Sequence, residues 1–211
     1  MKKNKDVELL VTSPGRINLI GDHVVYSGGY ALLATIDKNI RIRLKRNHSA
    51  NCTVYSKNLD RRFNIDVNAL HRSDTAWKNY IIGALYFMDR LRPFTIKGFD
   101  CEIESNLPIG AGLSSSAALV CGIATGLNRL FDLGLTNTEI IELSQKTEHD
   151  FAGVKSGIMD PFAVVHGQEE KLIFLNCETL AHRLIDINPG DFELVLLNSN
   201  VSHHLAGSAY N

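Results

Sequence analysis

PIGAGLSSSAAL, at residues 108–119, joins a predicted strand to a predicted helix through small residues. Gly110 and Gly112 lack a Cβ atom, so the backbone there can adopt positive φ angles and approach a ligand closely. Three serines follow at 114–116. N–H and hydroxyl groups at the start of a helix can donate hydrogen bonds to phosphate oxygens, and a hydroxyl oxygen can also coordinate a Mg²⁺ ion. We interpret the stretch as a phosphate cradle; the alternative is a tight turn whose small residues serve only packing.

The common phosphate-binding motifs do not fit this stretch. No lysine follows the glycines, so it is not a Walker A loop, and the glycine spacing differs from that of a dinucleotide-binding loop. The sequence therefore predicts a third kind of nucleotide loop.

Composition and charge limit the classes of function. The 211 residues are 45% hydrophobic and 21% charged, which is typical of a globular protein with a substantial core. A net charge of -1 argues against a nucleic-acid partner and favours a small-molecule ligand. The four cysteines show no C-x-x-C pairing, which favours reduced thiols. No run approaches the ~20 apolar residues of a membrane span. We expect a cytoplasmic protein without a membrane partner, as a monomer or a weak homo-oligomer.

Hydrophobic periodicity predicts an alternation of strands and helices. A helix is expected over 75–91, with Ser73 or Asp74 as its cap, and another over 117–131. A third helix begins at a capping box of Thr136 and Glu139 and continues to residue 148 or beyond. Nine short strands are expected: 7–13 (ending at Pro14-Gly15), 30–36, 40–45, 52–55, 62–65, 99–104, 172–176, 180–187 and 192–199. The glycine-serine loop lies between the strand over 99–104 and the helix over 117–131.

Polar residues interrupt apolar sequence at two other places. The first follows the end of the first strand: Arg16, Asn18, Asp22 and His23. For any one of these residues solvent exposure is the simpler interpretation, but four together favour a site. The second place holds two carboxylates, Glu148 and Asp160, for which a solvated loop is the alternative.

Three motifs then coincide in order and spacing with a known family. SPGRINLIGDH at 13–23, PIGAGLSSSAAL at 108–119 and SGIMD at 156–160 resemble the N-terminal half of galactokinases, which are GHMP small-molecule kinases. The resemblance runs from about residue 10 to the last residue. It implies the α+β fold of a GHMP kinase N-terminal domain (ribosomal protein S5 domain 2-like), a mixed sheet with helices packed on one side. This sugar- and ATP-binding domain would span 1–200, and 201–211 would begin a truncated C-terminal domain.

The resemblance implies ATP-dependent phosphorylation of a monosaccharide at its anomeric hydroxyl, with ATP and Mg²⁺ as cofactors. Galactose is the first expectation, and galacturonate or arabinose are alternatives. A galactokinase-like sensor that binds sugar and ATP without turnover is a second alternative. A kinase for a non-sugar alcohol such as mevalonate matches the GDH and SGIMD motifs less well.

The resemblance also implies a role for each matched residue. Asp160 would be the catalytic carboxylate near the anomeric hydroxyl, as a general base or by electrostatic steering, and Arg16 would stabilise the transferring group and keep Asp160 ionised. Ser116 and Glu148 would hold Mg²⁺. The residues implied for ATP are Gly110, Ala111, Gly112, Leu113, Ser114, Ser115, Ser116 and Trp77. Those implied for the sugar are Asp22, His23, Val24, Val25, Gly157 and Tyr210.

The sequence departs from the galactokinase pattern at two positions. Val25 stands where the family usually has an acidic residue that bonds sugar hydroxyls, and Pro161 stands where a glutamine is usual. A valine side chain cannot accept a hydrogen bond, so the preferred sugar is less firmly implied than the family. The family's third glycine-rich motif is absent from these residues, and we expect the 211 residues alone to turn over poorly.

Overall fold

The computed structural model describes residues 8–108, 110–188, 190–191 and 194–198. The strands are β1 (Glu8–Ile20), β2 (Tyr30–Arg46), β3 (Asn51–Ser56), β4 (Arg61–Asp66), β5 (Phe99–Ser105), β6 (Lys171–Asn176) and β7 (His182–Asp186). The α-helices are α1 (Ala76–Leu91), α2 (Ser115–Phe131), α3 (Asn137–Thr147) and α4 (Met159–His166). A 3-10 turn at Val25–Ser27 precedes β2, and a π-helical turn at Glu148–Ala152 follows α3.

Within the described ranges the strands form one mixed sheet in the order β4-β3-β5-β2-β6-β7, with β1 paired to β2. The pair β3 and β5 is parallel, and the other described pairs are antiparallel. The expected strands over 30–36 and 40–45 are one continuous strand, β2. Its first part pairs with β6 (Leu33 opposite Ile173), and its last part pairs with β5 (Ile40 opposite Ser105). The prediction of two strands is wrong because two partners share one edge of a long strand.

β1 does not end at Pro14-Gly15, as the sequence suggested, but continues to Ile20. The pairing with β2 shifts register between Pro14 and Arg16. Proline has no N–H to donate to the ladder, and a bulge accommodates it without ending the strand. The continued strand brings Arg16 and Asn18 to the candidate site.

The core lies between the sheet and α2. Ile42 and Leu44 of β2 are fully buried, whereas Arg43 between them is exposed, so one face of β2 is covered and the other meets water. α2 packs on β1 and β2, and α1 and α3 pack against α2. At Gly126 of α2 an added Cβ atom would lie 2.3 Å from Leu44 Cδ1, so the glycine permits this close approach. The α+β fold with a mixed sheet is confirmed.

Other boundaries test the expected elements. Thr75, not Ser73 or Asp74, is the N-cap residue of α1. Ser73 lies before the helix, where its N–H donates to Asn79 Oδ1 at 2.7 Å and its carbonyl oxygen accepts from Asn79 Nδ2 at 2.9 Å. The capping box of Thr136 and Glu139 is confirmed, with hydrogen bonds of 3.2 and 2.8 Å. The strand expected over 192–199 is wrong for 194–198, which form no strand, and its remaining residues lie outside the described ranges. In the part of the chain that is described, no helix is both long and apolar enough to cross a membrane.

Candidate active site

An ion pair between β1 and α4 lies at the centre of the candidate site. Arg16 Nε donates a hydrogen bond to Asp160 Oδ1 at 2.7 Å, and Arg16 Nη2 donates to the same oxygen. Only 13% of the Arg16 side chain and 23% of the Asp160 side chain are exposed, so solvent screens the pair less than it screens a surface pair. Residues 144 positions apart in the chain are thus held together, as the sequence predicted.

Ser114 binds the second oxygen of the same carboxylate. Its hydroxyl donates to Asp160 Oδ2 at 2.6 Å. Ser114 is the N-cap residue of α2, with a left-handed φ of 56°, and among the described groups its side chain caps no N–H of the helix. The first N–H groups of an α-helix have no partner within the helix and form a positive anion-binding end. The Ser114 hydroxyl thus binds Asp160 instead of capping the helix. The N–H groups at the start of α2 are left for an anion, as expected of a phosphate cradle.

The glycine-serine loop is fastened to β1 by two hydrogen bonds. The Arg16 N–H donates to Leu113 O at 3.2 Å, and Arg16 Nη1 donates to Gly112 O at 3.1 Å. Gly110 and Gly112 have φ angles of 73° and 72°, in the left-handed region that the sequence predicted for them. A Cβ atom added at Gly112 would meet nothing within 4 Å, so this turn of the loop faces open space.

Glu148 and Ser116 form a second polar group at the start of α2. Glu148 is 2% exposed, its carboxylate accepts a hydrogen bond from the hydroxyl of Ser156, and the hydroxyl of Ser116 is a second favourable neighbour. Burial raises the pKa of Glu148 above its ordinary value, and the two hydroxyls oppose that increase. Glu148 also begins the π-helical turn, a feature frequent at functional sites. A buried carboxylate with hydroxyl neighbours supplies the oxygen ligands that Mg²⁺ prefers, so these residues fit the ion.

Mg²⁺ is commonly held by one or two carboxylates together with substrate phosphates. Within the described residues there is no cluster of three or more His, Cys, Asp and Glu side chains that could hold a metal. Ser156 was missed by sequence reasoning, and its place in the SGIMD motif was the available signal.

The candidate sugar side lies at the end of β1. Asp22 and His23 are exposed, and Asn18 Nδ2 donates a hydrogen bond to Asp22 Oδ1. Val25 lies beside Gly157, where an added Cβ atom would come within 2.9 Å of Val25 Cγ1. The structure thus brings Val25 and Gly157 together, as expected for residues of one site.

Two predicted residues stand apart from these groups. Trp77 packs edge-on against Phe63, with ring centroids 5.0 Å apart, so part of its ring belongs to the core. Its contact with adenine stays a prediction. Tyr210 lies outside the described residues.

Known families match both ends of this site. Residues 79–168 match the GHMP kinases N terminal domain, and residues 2–46 match the galactokinase galactose-binding signature. The chain therefore contains a GHMP kinase N-terminal domain. The GHMP match contains the glycine-serine loop, Glu148, Gly157 and Asp160, and the signature contains Arg16, Asp22, His23 and Val25.

Curated relatives of this GHMP kinase domain are galactokinases. The galactokinase of Thermosipho africanus is 35% identical over 95% of the chain and 55% of the relative. That of Limosilactobacillus reuteri is 38% identical over 94% of the chain and 53% of the relative. The chain spans about half the length of the curated relatives it matches.

Solved structures show the same GHMP fold. Lactococcus lactis galactokinase, crystallised in complex with galactose, is similar with a TM-score of 0.83 and 34% identity, over 87% of this chain and 48% of that one. Methanococcus jannaschii mevalonate kinase has a TM-score of 0.69 at 22% identity, over 87% of this chain and 57% of that one, which indicates a shared fold alone.

Proposed function

We propose that the complete protein transfers the terminal phosphoryl group of ATP to the anomeric hydroxyl of a monosaccharide, with galactose as the first candidate. The observation that carries the proposal is the contact of Asp160 with Arg16 and Ser114 at the mouth of the glycine-serine loop. A carboxylate and an arginine beside an anion-binding helix start are the groups that phosphoryl transfer to a hydroxyl needs. The galactokinase relatives support galactose as the acceptor.

The phosphates of ATP would bind to the N–H groups of residues 110–116 and to the hydroxyl of Ser115. The aligned peptide dipoles of α2 place a partial positive charge, roughly half an elementary charge, at its start, which attracts the phosphates. Because α2 is packed against β1 and β2, its N–H groups are held in place before the nucleotide arrives. Positioning and electrostatic stabilisation are the main contributions of the protein in this class of reaction.

Ser116 and Glu148 would hold Mg²⁺. When bound, the ion would neutralise charge on the nucleotide phosphates. The Glu148 carboxylate is buried beside hydroxyl groups, so a bound cation would offset the desolvation of its charge.

Arg16 and Asp160 would act on the acceptor hydroxyl and on the group in transfer. Asp160 can orient the sugar hydroxyl or accept its proton, since a carboxylate keeps further lone pairs beside those used by Arg16 and Ser114. Arg16 would stabilise negative charge that develops on the phosphoryl group.

Asp22, His23, Val24, Val25 and Gly157 would surround the sugar. Val25 supplies an apolar surface where galactokinases usually have an acid, which keeps galacturonate and arabinose as alternatives. We also propose the domain division at about residue 200, a cytoplasmic location, and a monomer or weak homo-oligomer. Residues 201–211 lie outside the described part of the chain.

The test is ADP production by the complete gene product with Mg-ATP and separate samples of galactose, galacturonate, arabinose and glucosamine. Turnover with galactose is the expected result. Turnover only with another sugar would keep the reaction and replace the acceptor. Sugar binding without any turnover would replace the kinase by a sensor.

A further inference from the structure

Asn18 has an unusual environment for a polar residue in a strand. It follows Arg16 by two positions on a regular part of β1, so both side chains leave the same face of the strand. Its Nδ2 donates a hydrogen bond to Asp22 Oδ1. Its Oδ1 is buried and has no hydrogen-bond partner among the described residues.

The contact with Asp22 explains the orientation of the Asn18 amide. An ionised carboxylate accepts hydrogen bonds and cannot donate them, so the amide must present its NH₂ group to Asp22. The reverse orientation would place the amide oxygen against the carboxylate. The unpaired Oδ1 is therefore the consequence of binding Asp22, and a buried acceptor without a donor costs stability. The arrangement thus holds the Asp22 carboxylate in one orientation and lowers the stability of the folded protein.

Asp22 needs such an anchor because of its position. It follows the end of β1 at Ile20, it is exposed, and Gly21 before it has a φ of 118°. An exposed carboxylate on a loop samples several side-chain conformations. A ligand that binds only one of them binds more weakly, because ordering the side chain costs conformational entropy. Sites are more selective when neighbouring hydrogen bonds hold the binding groups in advance.

We propose that Asn18 is a positioning residue that holds the Asp22 carboxylate in the orientation that receives sugar hydroxyls. The inference rests on the proposed function, in which Asp22 binds the sugar. Asn18 itself need not touch the ligand, because its free oxygen is enclosed by the protein.

Replacing Asn18 by alanine separates positioning from a structural role. Asn18→Ala removes the hydrogen bond to Asp22 together with the unpaired acceptor, so the unfolding temperature should change little. The dissociation constant for galactose should rise about tenfold, because binding must then order the Asp22 side chain. The dissociation constant for Mg-ADP should not change. Asn64→Ala is a matched control, because Asn64 is an exposed asparagine on β4 and is remote in sequence from the site.

A double-mutant cycle with Asp22→Ala shows whether Asn18 acts through Asp22. In the Asp22→Ala background, Asn18→Ala should have almost no further effect on galactose binding, because no carboxylate remains to be held. Kinetics give a second readout: Asn18→Ala should raise KM for galactose more than it lowers kcat, since positioning for binding is lost while Arg16 and Asp160 remain.

The experiment is titration calorimetry of the complete gene product with galactose and with Mg-ADP, for the wild type, both single variants, the double variant and Asn64→Ala. Weaker galactose binding by Asn18→Ala that disappears in the Asp22→Ala background supports the inference. Unchanged galactose binding, additive effects, or a parallel loss of nucleotide affinity and unfolding temperature would overturn the inference alone. Failure of the wild type to bind galactose, galacturonate, arabinose or glucosamine would overturn the proposed function and the inference with it.

Discussion

The phosphate side and the sugar side of the candidate site are built differently. On the phosphate side, Arg16, Ser114 and Asp160 belong to three packed elements and are joined by several hydrogen bonds. On the sugar side, Asp22 lies on an exposed loop, and its described anchor is one hydrogen bond from Asn18. Packed elements hold groups more precisely than loops do. We infer that the packed side sets the reaction and that the exposed side sets the choice of sugar.

The largest expected effect is on the packed side, at Asp160. Asp160→Asn keeps the shape of the side chain but removes the charge that faces Arg16. We expect kcat to fall by ~10²–10⁴-fold, the usual contribution of a positioned carboxylate. The measurement is ADP release in the presence of sugar. Calorimetric binding of sugar and Mg-ADP is the control and should persist. A loss of less than about tenfold would mean that Asp160 is outside the chemistry.

Glu148 is expected to control both metal binding and pH dependence. Glu148→Gln should remove the stabilisation by Mg-ADP, measured as a shift in unfolding temperature, because the charged ligand is gone.

In the ligand-free wild type, burial raises the pKa of Glu148 above 4.5, so the folded state binds the proton more strongly than the unfolded state. This contribution to stability is present below pH 4.5 and is lost as pH rises through the folded pKa.

Ligand-free Glu148→Gln should therefore gain stability relative to the wild type as pH rises, by about 1.4 kcal/mol for each unit by which the wild-type pKa is raised. Thermal unfolding between pH 5 and pH 8, without divalent metal, measures the difference. A difference in stability that stays constant across that range would contradict a raised pKa for the buried Glu148 carboxylate.

Ser114 gives a smaller effect that sharpens the description of the packed side. Ser114→Ala removes the hydrogen bond to Asp160 Oδ2 but leaves the ion pair with Arg16. We expect kcat to fall about tenfold, the equivalent of one charge-assisted hydrogen bond, with little change in KM for ATP. Ser115→Ala is the comparison, because its side chain is expected at ATP rather than at Asp160, and it should mainly raise KM for ATP. If Ser114→Ala mainly raises KM for ATP and Ser115→Ala mainly lowers kcat, the Ser114 side chain acts on the nucleotide and not on Asp160.

The smallest expected effect is on the sugar side, at Val25. Val25→Asp introduces the acidic residue that galactokinases usually have at this position. We expect the ratio of kcat/KM for galactose over arabinose to rise by a few-fold to tenfold, since one added hydrogen bond is worth about 1 kcal/mol. Val25→Asn is a matched variant of similar size without the charge. If both variants lower activity with every sugar equally, Val25 serves packing against Gly157 and not selection.

Much of the fold could be predicted from the sequence, because it depends on local patterns. The alternation of Ile40, Ile42 and Leu44 with charged residues predicted a one-sided strand, and the capping box predicted the start of α3. The continuation of β1 through Pro14 could not be read locally. It depends on β2, which supplies the partner across the bulge.

The site was predictable in its groups but not in its contacts. Motif order indicated Arg16 and Asp160, and the structure joins them. Neither the hydrogen bond from Ser114 to Asp160 nor the one from Asn18 to Asp22 follows from the spacing of these residues in the sequence. Each depends on the conformation of a loop between packed elements.

Direct identification of the product is the most decisive experiment. The complete gene product is incubated with Mg-ATP and galactose, and the product is examined by phosphorus and proton magnetic resonance. We predict a phosphate ester whose phosphorus couples to the anomeric proton, formed by the wild type and lost in Asp160→Asn. A phosphate on another carbon of the sugar, or equal product from both proteins, would contradict the role given to Arg16 and Asp160.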